Sequence, residues 1–530
     1  MRNTSDRHVA RRNLLKRPRA WWVGPLLVAA VALSLLALAA CGSDEEKAAE
    51  PSTGEPQRGG TLRVAVVSDQ FNFDVPLLAS VPDIVVVDST YDTLIMRQPD
   101  WSLQPMLATS WEPNDDVTQW TFHLRKGVKF SHGKEFKAED VVYTFDRLFE
   151  VESPLASVLD IVTDIVEVDD YTVRFDLSSP NAYLPQLVVR YQANITPSDI
   201  DPEQLATGTY GTGPFIMTEN VVGERTVLTK NPDYWWEGYP YLDEVILVYL
   251  PEPESRAEAL KTGAVDVIYD LTRTSAPTLE DHPETRVSLA TSSSYLNLAM
   301  DVTVEPFDNI LLRKALQAAT DREAILQASL FGRGGIAYDH PIPPSDPVFN
   351  EACKPQGYDP VLAKSLLEQA GYPNGIDLTL YTSTTGGGMV EMATVMKDRA
   401  APAGIRIDIQ VVPEDAYWSD VWMVKPFSTV FWGARLPDAA LSIVYKSDAA
   451  WNESSYNNPR VDELIIQARS QPNLEDRKVT YAEIQCILVD EVPRIVPVFK
   501  SIMRGLRLDV RNVEANPEDK IFFRDAWLDR

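Results

Sequence analysis

Residues 241–271 read YLDEVILVYLPEPESRAEALKTGAVDVIYDL. A β-branched run, a stretch of helical spacing over about 253–262, and a second apolar run follow one another. A strand joined to another strand through a helix predicts a parallel pair in one sheet. The texture returns at 376–413, where IDLTLYTST, VEMATVMKDRAAPAG and IRIDIQVVP read as strand, helix and strand. All-α and all-β classes are thereby excluded, and the chain is expected to be a mixed α/β protein.

Other stretches fill in this frame. GGTLRVAVVSD (59–69) is a first core strand, with a turn after it. WTFHLRKGVKF (120–130) alternates apolar and polar about Lys126-Gly127 and predicts a hairpin, as does VEVDDYTVRFDL (166–177) about Asp169-Asp170. KAEDVVYTFDRLF (137–149) has helical spacing and acids in its first turn. Strands are expected at SSYLNLAMD (293–301) and PRIVPVFK (493–500), and helices at 308–330, 359–371, 457–470 and 474–492. No segment repeats at a fixed period, which excludes solenoids and propellers. A length of 530 residues exceeds one compact core and predicts two or three domains.

The N-terminus is a separate object. Seven Lys or Arg precede an uncharged apolar run from Trp21 to Ala40, the pattern of an export signal. Twenty apolar residues could also span a bilayer, so length does not decide. The ending does: LAAC, Leu38 to Cys41, resembles the bacterial lipobox, in which the cysteine takes a diacylglyceryl group. The expectation is a signal peptide over 1–40, lipidation at Cys41 and a flexible tether over 41–58, GSDEEKAAEPSTGEPQRGG being its polar part. ARRNLLK (10–16) also resembles a twin-arginine signal; the alternative is a basic region obeying the positive-inside rule.

With residues 1–40 removed, 42 Lys and Arg face 76 Asp and Glu, a net charge near −34. Such a charge repels nucleic acid and anionic lipid, so neither is an expected partner. Beyond Cys41 there are two cysteines, Cys353 and Cys486, which form either a disulfide or a buried free pair. No enzyme signature emerges. None of the five histidines sits in HExxH, and no Cys/His cluster has zinc spacing. GTGP (211–214) lacks the Lys-Ser/Thr of a P-loop, and no GxSxG is present. Neither a metal nor a cofactor is expected. The aromatic stretch Trp418, Trp422, Phe427, Phe431, Trp432 reads first as core, but Arg435, between Gly433 and Pro437, gives Trp432 a second reading. A planar guanidinium beside an aromatic face suits capture of a carboxylate; the alternative is an internal salt bridge.

The blocks PMLATSWEPNDDVTQWTFHLRKGVKFSHGKEFKAEDVVYTFDRL (105–148), GTGPF, NPDYWW, RAEALKTGAVDVI, DNILLRKALQAATDREAI and YNNPRVDELIIQAR occur in that order. In this the chain resembles the extracellular solute-binding proteins of ABC importers, in the peptide/nickel (oligopeptide- and dipeptide-binding) family. The resemblance runs from about Gly59 to Lys500. It implies a two-lobed periplasmic-binding-protein-like fold with an inserted subdomain. Lobe I would comprise 59–98, 206–300 and 493–530, the insertion 99–205, and lobe II 301–492, with SSYLNLAMD and PRIVPVFK as a hinge of two crossing strands. It also implies a binding protein rather than an enzyme, a monomer held at the outer face of the membrane, and a permease as partner. A ligand, either a peptide or another small solute, would be trapped as the lobes close.

Peptide-binding members of that family resemble W-x-x-D here, their aspartate taking the peptide ammonium. In FWGARLPD (431–438) the third residue after Trp432 is Arg435, so the charge is inverted. A small organic anion held by Arg435 is the expectation, with Trp432 stacking on it. Tyr295 and the loop Ser68 to Phe71 would line the other wall by family position. Asp438, displaced in register, is the alternative cation ligand. The rival readings are an exported lipid-anchored hydrolase and a solute sensor with no transport role.

Overall fold

A computed structural model describes residues 54–67, 72–78 and 80–530. The leader, the lipidation candidate Cys41, most of the tether and the wall candidates Ser68 and Phe71 lie outside the described residues. Residues 56–530 form one compact unit. Among the described residues, no helix is long and apolar enough to cross a membrane.

An eleven-stranded sheet is the spine. In residue ranges its order is 405–411, 376–382, 427–432, 285–300, 494–507, 267–268, 61–66, 244–249, 225–230 and 215–221, with 334–336 also paired to 494–507. Strand Thr61–Val66 lies parallel to both Glu244–Tyr249 and Val267–Ile268, the two strands joined through helix Pro253–Lys261. Ile376–Thr382 and Ile405–Val411 are likewise parallel, linked by helix Met389–Ala400. These are the two strand–helix–strand units expected from the sequence.

Two long antiparallel strands, Thr285–Met300 and Arg494–Arg507, join the halves of this sheet. Residues 285–291 pair with 501–507, and 295–299 with 494–499. Both strands are longer than the expected segments 293–301 and 493–500, because TRVSLATSS and SIMRGLR keep an extended ladder beyond the continuous apolar runs. The register breaks between Thr291 and Tyr295.

Separate cores sit on either side of the break. One pair of buried clusters collects side chains between Leu62 and Val287 and between Met503 and Leu528. Another pair is built almost wholly from residues between Leu296 and Phe499. The polypeptide is thus a two-lobed mixed α/β protein.

A third core belongs to a four-stranded antiparallel sheet of order 108–113, 119–124, 172–177, 162–169, covered by helix Ala138–Glu150. The hairpin expected over 120–130 does not form. Strand Gln119–Leu124 pairs instead with 108–113 and 172–177, and the chain after Arg125 turns away. Val128 and Phe130 are buried, so the alternation reported burial rather than pairing. Phe145 anchors this core edge-on to Phe175, at a 5.0 Å centroid distance, and Phe175 meets Phe122 at 5.3 Å.

Cys353 and Cys486 are joined in a disulfide, with 4.8 Å between their Cα atoms. The bridge ties the loop at 350–354 to helix Leu474–Glu491.

Phe145 is fully buried. Its replacement by alanine is expected to destabilise the small sheet by about 3–5 kcal/mol, since the cavity adds to the lost transfer energy. Denaturant unfolding followed by near-UV circular dichroism checks this; a change below about 1 kcal/mol would contradict the packing described.

Candidate functional site

The register break is occupied by three consecutive serines, and each binds the backbone of a neighbouring strand or loop. Ser292 Oγ donates to the Lys500 carbonyl at 2.9 Å. Ser294 Oγ donates to the Trp432 carbonyl at 2.7 Å. Ser293 Oγ donates to the Arg435 carbonyl and accepts from the Arg435 amide, both at 2.9 Å. The bulge therefore fixes where the segment after strand Phe427–Trp432 leaves the sheet, and with it the Arg435 side chain.

Arg435 lies across two indoles. Its guanidinium carbon is 5.1 Å from the Trp432 ring centroid and 5.9 Å from that of Trp451. One terminal nitrogen donates to the Gly433 carbonyl at 3.2 Å. Among the described residues no carboxylate comes within ion-pair distance of it, so the internal salt bridge is not formed. Burial, followed by the positive field of Arg190, pulls its pKa below the usual arginine value. A half-buried cation without a counter-charge is unfavourable by itself.

The cavity that Arg435 faces has a volume of about 140 Å³. Arg97, Arg190 and Lys520 also line it, with Glu518 as the single acid. Glu518 is taken by Arg97, which also holds Gln186 through its Nε at 2.8 Å. Lys520 donates to the Val189 carbonyl at 2.6 Å. The lining is strongly positive in a chain whose formal net charge is −28.

Tyr295 and Trp432 are brought together directly, as partners across the 285–300 and 427–432 strands. Both are buried, at 2% and 6% exposure. The Tyr295 hydroxyl is buried against that of Tyr445, and burial raises its pKa well above the ordinary tyrosine value. Asp438 is not brought into this group as a free ligand. It opens helix Pro437–Val444, and its carboxylate is gripped by Arg469 at 2.7 and 3.1 Å. The alternative of Asp438 as the cation ligand is corrected by this pairing.

What holds Trp432 is a carboxylate that gave no signal in the sequence. Glu453 is almost wholly buried and accepts four hydrogen bonds. Asn297 Nδ2 and Arg494 donate at 2.8 Å each and Trp432 Nε1 at 3.3 Å, all to one oxygen; Trp422 Nε1 donates to the other at 2.8 Å. Arg494, with no exposed side chain, stacks on Tyr445 at 4.3 Å. The aromatic stretch is thus both core and wall: Trp422 and Trp432 are pinned inside, while Trp451 stays exposed beside Arg435. Nothing here assembles a nucleophile and base. Among the described residues no cluster of three or more His, Cys, Asp or Glu is placed to hold a metal.

The profile of "Bacterial extracellular solute-binding proteins, family 5 Middle" matches residues 102–452. Heme-binding protein A of Haemophilus influenzae is 27% identical over 517 residues, covering 89% of this chain and 93% of that protein. The periplasmic binding protein DppA of Helicobacter pylori, solved with the peptide STSA, is 26% identical and superposes with a TM-score of 0.68, over 89% of this chain and 99% of that one. The murein tripeptide-binding protein MppA, in its unliganded open form, superposes with a TM-score of 0.81 at 20% identity, over 90% of this chain and 98% of that one. The chain belongs to the bacterial extracellular solute-binding proteins of family 5, whose members are binding proteins.

Glu453→Gln would turn one oxygen into a donor facing donors and leave Arg494 buried and uncompensated. Removing one partner of a buried ion pair is expected to destabilise by about 3–5 kcal/mol. Guanidinium unfolding followed by tryptophan fluorescence measures it; a loss under about 1 kcal/mol would show that Glu453 does not organise the indoles.

Proposed function

We propose that this family 5 protein is the lipid-anchored receptor of an ABC-type importer, capturing a small organic anion between its lobes and delivering it to the permease. The anion is bound by Arg435, and the carrying observation is that this arginine is half-buried, stacked and without an acid partner among the described residues. A bidentate guanidinium–carboxylate contact is the chemistry that compensates it. Trp432 and Trp451 hold the guanidinium flat. Ser68 and Phe71 would complete the wall. The lobes would divide within the two crossing strands, near residues 292 and 500 rather than at 300 and 493, with 99–205 as the insertion.

A free peptide ammonium fits this site poorly, because Arg435 would repel it. The anchor rests on the LAAC sequence at Leu38–Cys41.

Titration calorimetry of the full-length chain in mild detergent, against organic-acid, opine, amino-acid and dipeptide pools, tests the ligand class. An organic anion should bind. Arg435→Gln should weaken it about tenfold to a hundredfold, the 1.5–3 kcal/mol of a charge-assisted bond. A tightly bound dipeptide whose affinity Arg435→Gln leaves unchanged would reject the reading. Mass spectrometry of the N-terminal peptide of the membrane-bound protein should find Cys41 carrying a diacylglyceryl group; an unmodified Cys41 would reject the lipid anchor.

A further inference from the structure

A second group of cations lies on the other side of the serine bulge. Lys500, whose carbonyl is held by Ser292, places its ammonium over the Phe431 ring at 5.2 Å. Arg273 comes from the loop after strand Val267–Ile268. One of its terminal nitrogens would stand 3.5 Å from a Cβ added at Gly387, and its Nε is buried without an acceptor. Among the described residues neither cation has a carboxylate partner. Lys500 does not line the cavity of Arg273, but both stand against the 386–387 loop, since the Phe431 ring under Lys500 would meet a Cβ added at Gly386; burial, then the field of Arg273, brings the Lys500 pKa down to about 8.

Groups that would satisfy an anion converge from the other lobe. The Ser329 hydroxyl, at the end of helix Arg322–Leu330, is buried and unpartnered. Helix Met389–Ala400 begins at Gly388 without a side-chain cap; its first amide, that of Met389, donates to the Gly386 carbonyl at 3.1 Å. Gly388 has φ +97°, and a Cβ there would lie 2.9 Å from the Ser329 carbonyl, so glycine is what lets these segments meet. Arg273, Ser329, Gly387 and Gly388 line one cavity of about 640 Å³. Three acids also line it, and the Oδ2 of Asp270 is buried there without a hydrogen-bond partner among the described residues. Asp519 pairs with Arg504 at 3.6 Å, Asp270 lies in the field of Arg256, and Glu391 is open to solvent. This cavity and the one faced by Arg435 share no lining residue.

We propose that Arg273, Lys500, Ser329 and the start of helix 389–400 form a second oxyanion site, and that the captured solute is a dianion with one acidic group here and the other on Arg435. Two desolvated like charges beside an unfilled hydroxyl are unfavourable until an anion joins them. The donors come from both lobes and the crossing strand, so the second group is held only where the lobes approach each other. The dianion part of the proposal rests on the Arg435 reading; the site itself does not.

The test measures a graded series of α,ω-dicarboxylates, matched monocarboxylates and inorganic phosphate on the full-length chain by calorimetry. In the wild type, the best dicarboxylate should bind at least tenfold tighter than its monocarboxylate. Arg273→Gln and Lys500→Met should each erase that gap and leave monocarboxylate affinity unchanged, whereas Arg435→Gln should weaken both. Above pH about 8 the gap should shrink in the wild type as Lys500 loses its proton, and Lys500→Arg should preserve it. Reductive methylation of Lys500, mapped by mass spectrometry, should be slowed by the dicarboxylate. A gap absent from the wild type, or one that survives in both Arg273→Gln and Lys500→Met, overturns the proposal. Phosphate binding lost in Arg273→Gln with no dicarboxylate gap would mean a site for a free oxyanion and would overturn the dianion. Dependence on Arg273 and Lys500 with indifference to Arg435→Gln would keep the second site and reject the Arg435 reading.

Discussion

Everything in this fold depends on the point where two long strands stop being in register. Strands 285–300 and 494–507 carry the sheet from one lobe to the other, and a continuous ladder would make that passage stiff. At Ser292–Ser294 the ladder opens, and hydroxyls replace part of its backbone bonding. Serine suits the task physically: a short side chain can serve a neighbouring carbonyl or amide without filling the space a larger residue would need. The extra residues increase local twist and bend, as bulges do, at the junction of the two cores. The same three residues fix the backbone of Lys500 and Arg435, so the place where the chain can flex is also the place from which it presents charge.

Two treatments of charge coexist within a few residues. Glu453 and Arg494 are buried and mutually paired, and Glu453 accepts four hydrogen bonds. Arg435, Arg273 and Lys500 are partly buried and, among the described residues, without an acid partner. In a chain with 77 acidic residues, a shortage of partners cannot explain this. The paired charges sit where geometry must not change, under the indoles. The other cations sit at or beside cavities between elements from different parts of the chain. In the proposed reading, those positions are kept for the captured solute.

The class of fold was legible in the sequence because local periodicity reports it. The 241–271 and 376–413 segments each encode a crossover, and capping residues such as Asp321 and Asp359 mark helix starts that the structure keeps. The 120–130 segment shows the limit of the same signal: alternation fixes which side chains are buried but not which strand they pair with. Arg435 was legible because a loop arginine beside a tryptophan is unusual by itself. Glu453, Arg273 and Ser329 were not. Each is an ordinary residue in an acidic or polar stretch, and becomes notable only through neighbours about 20 to 230 residues away. Asp438 misled for the same reason, since its partner Arg469 lies on another helix.

The overall charge sharpens what the cleft must accomplish. A net charge of −28 creates a field that opposes an approaching anion. At physiological ionic strength that field decays over a Debye length of about 8 Å, so an anion near the surface feels mainly the nearest groups. The cavity cations therefore act late, after the solute has entered, and cannot speed its arrival from a distance. In the proposed reading, affinity must come from slow release rather than fast capture. Slow release is what closing two lobes over partly desolvated cations provides, because each charge contact strengthens as water leaves. An acidic exterior and a cationic interior are then compatible parts of one receptor: the first sets solubility, and the second sets how long the guest stays.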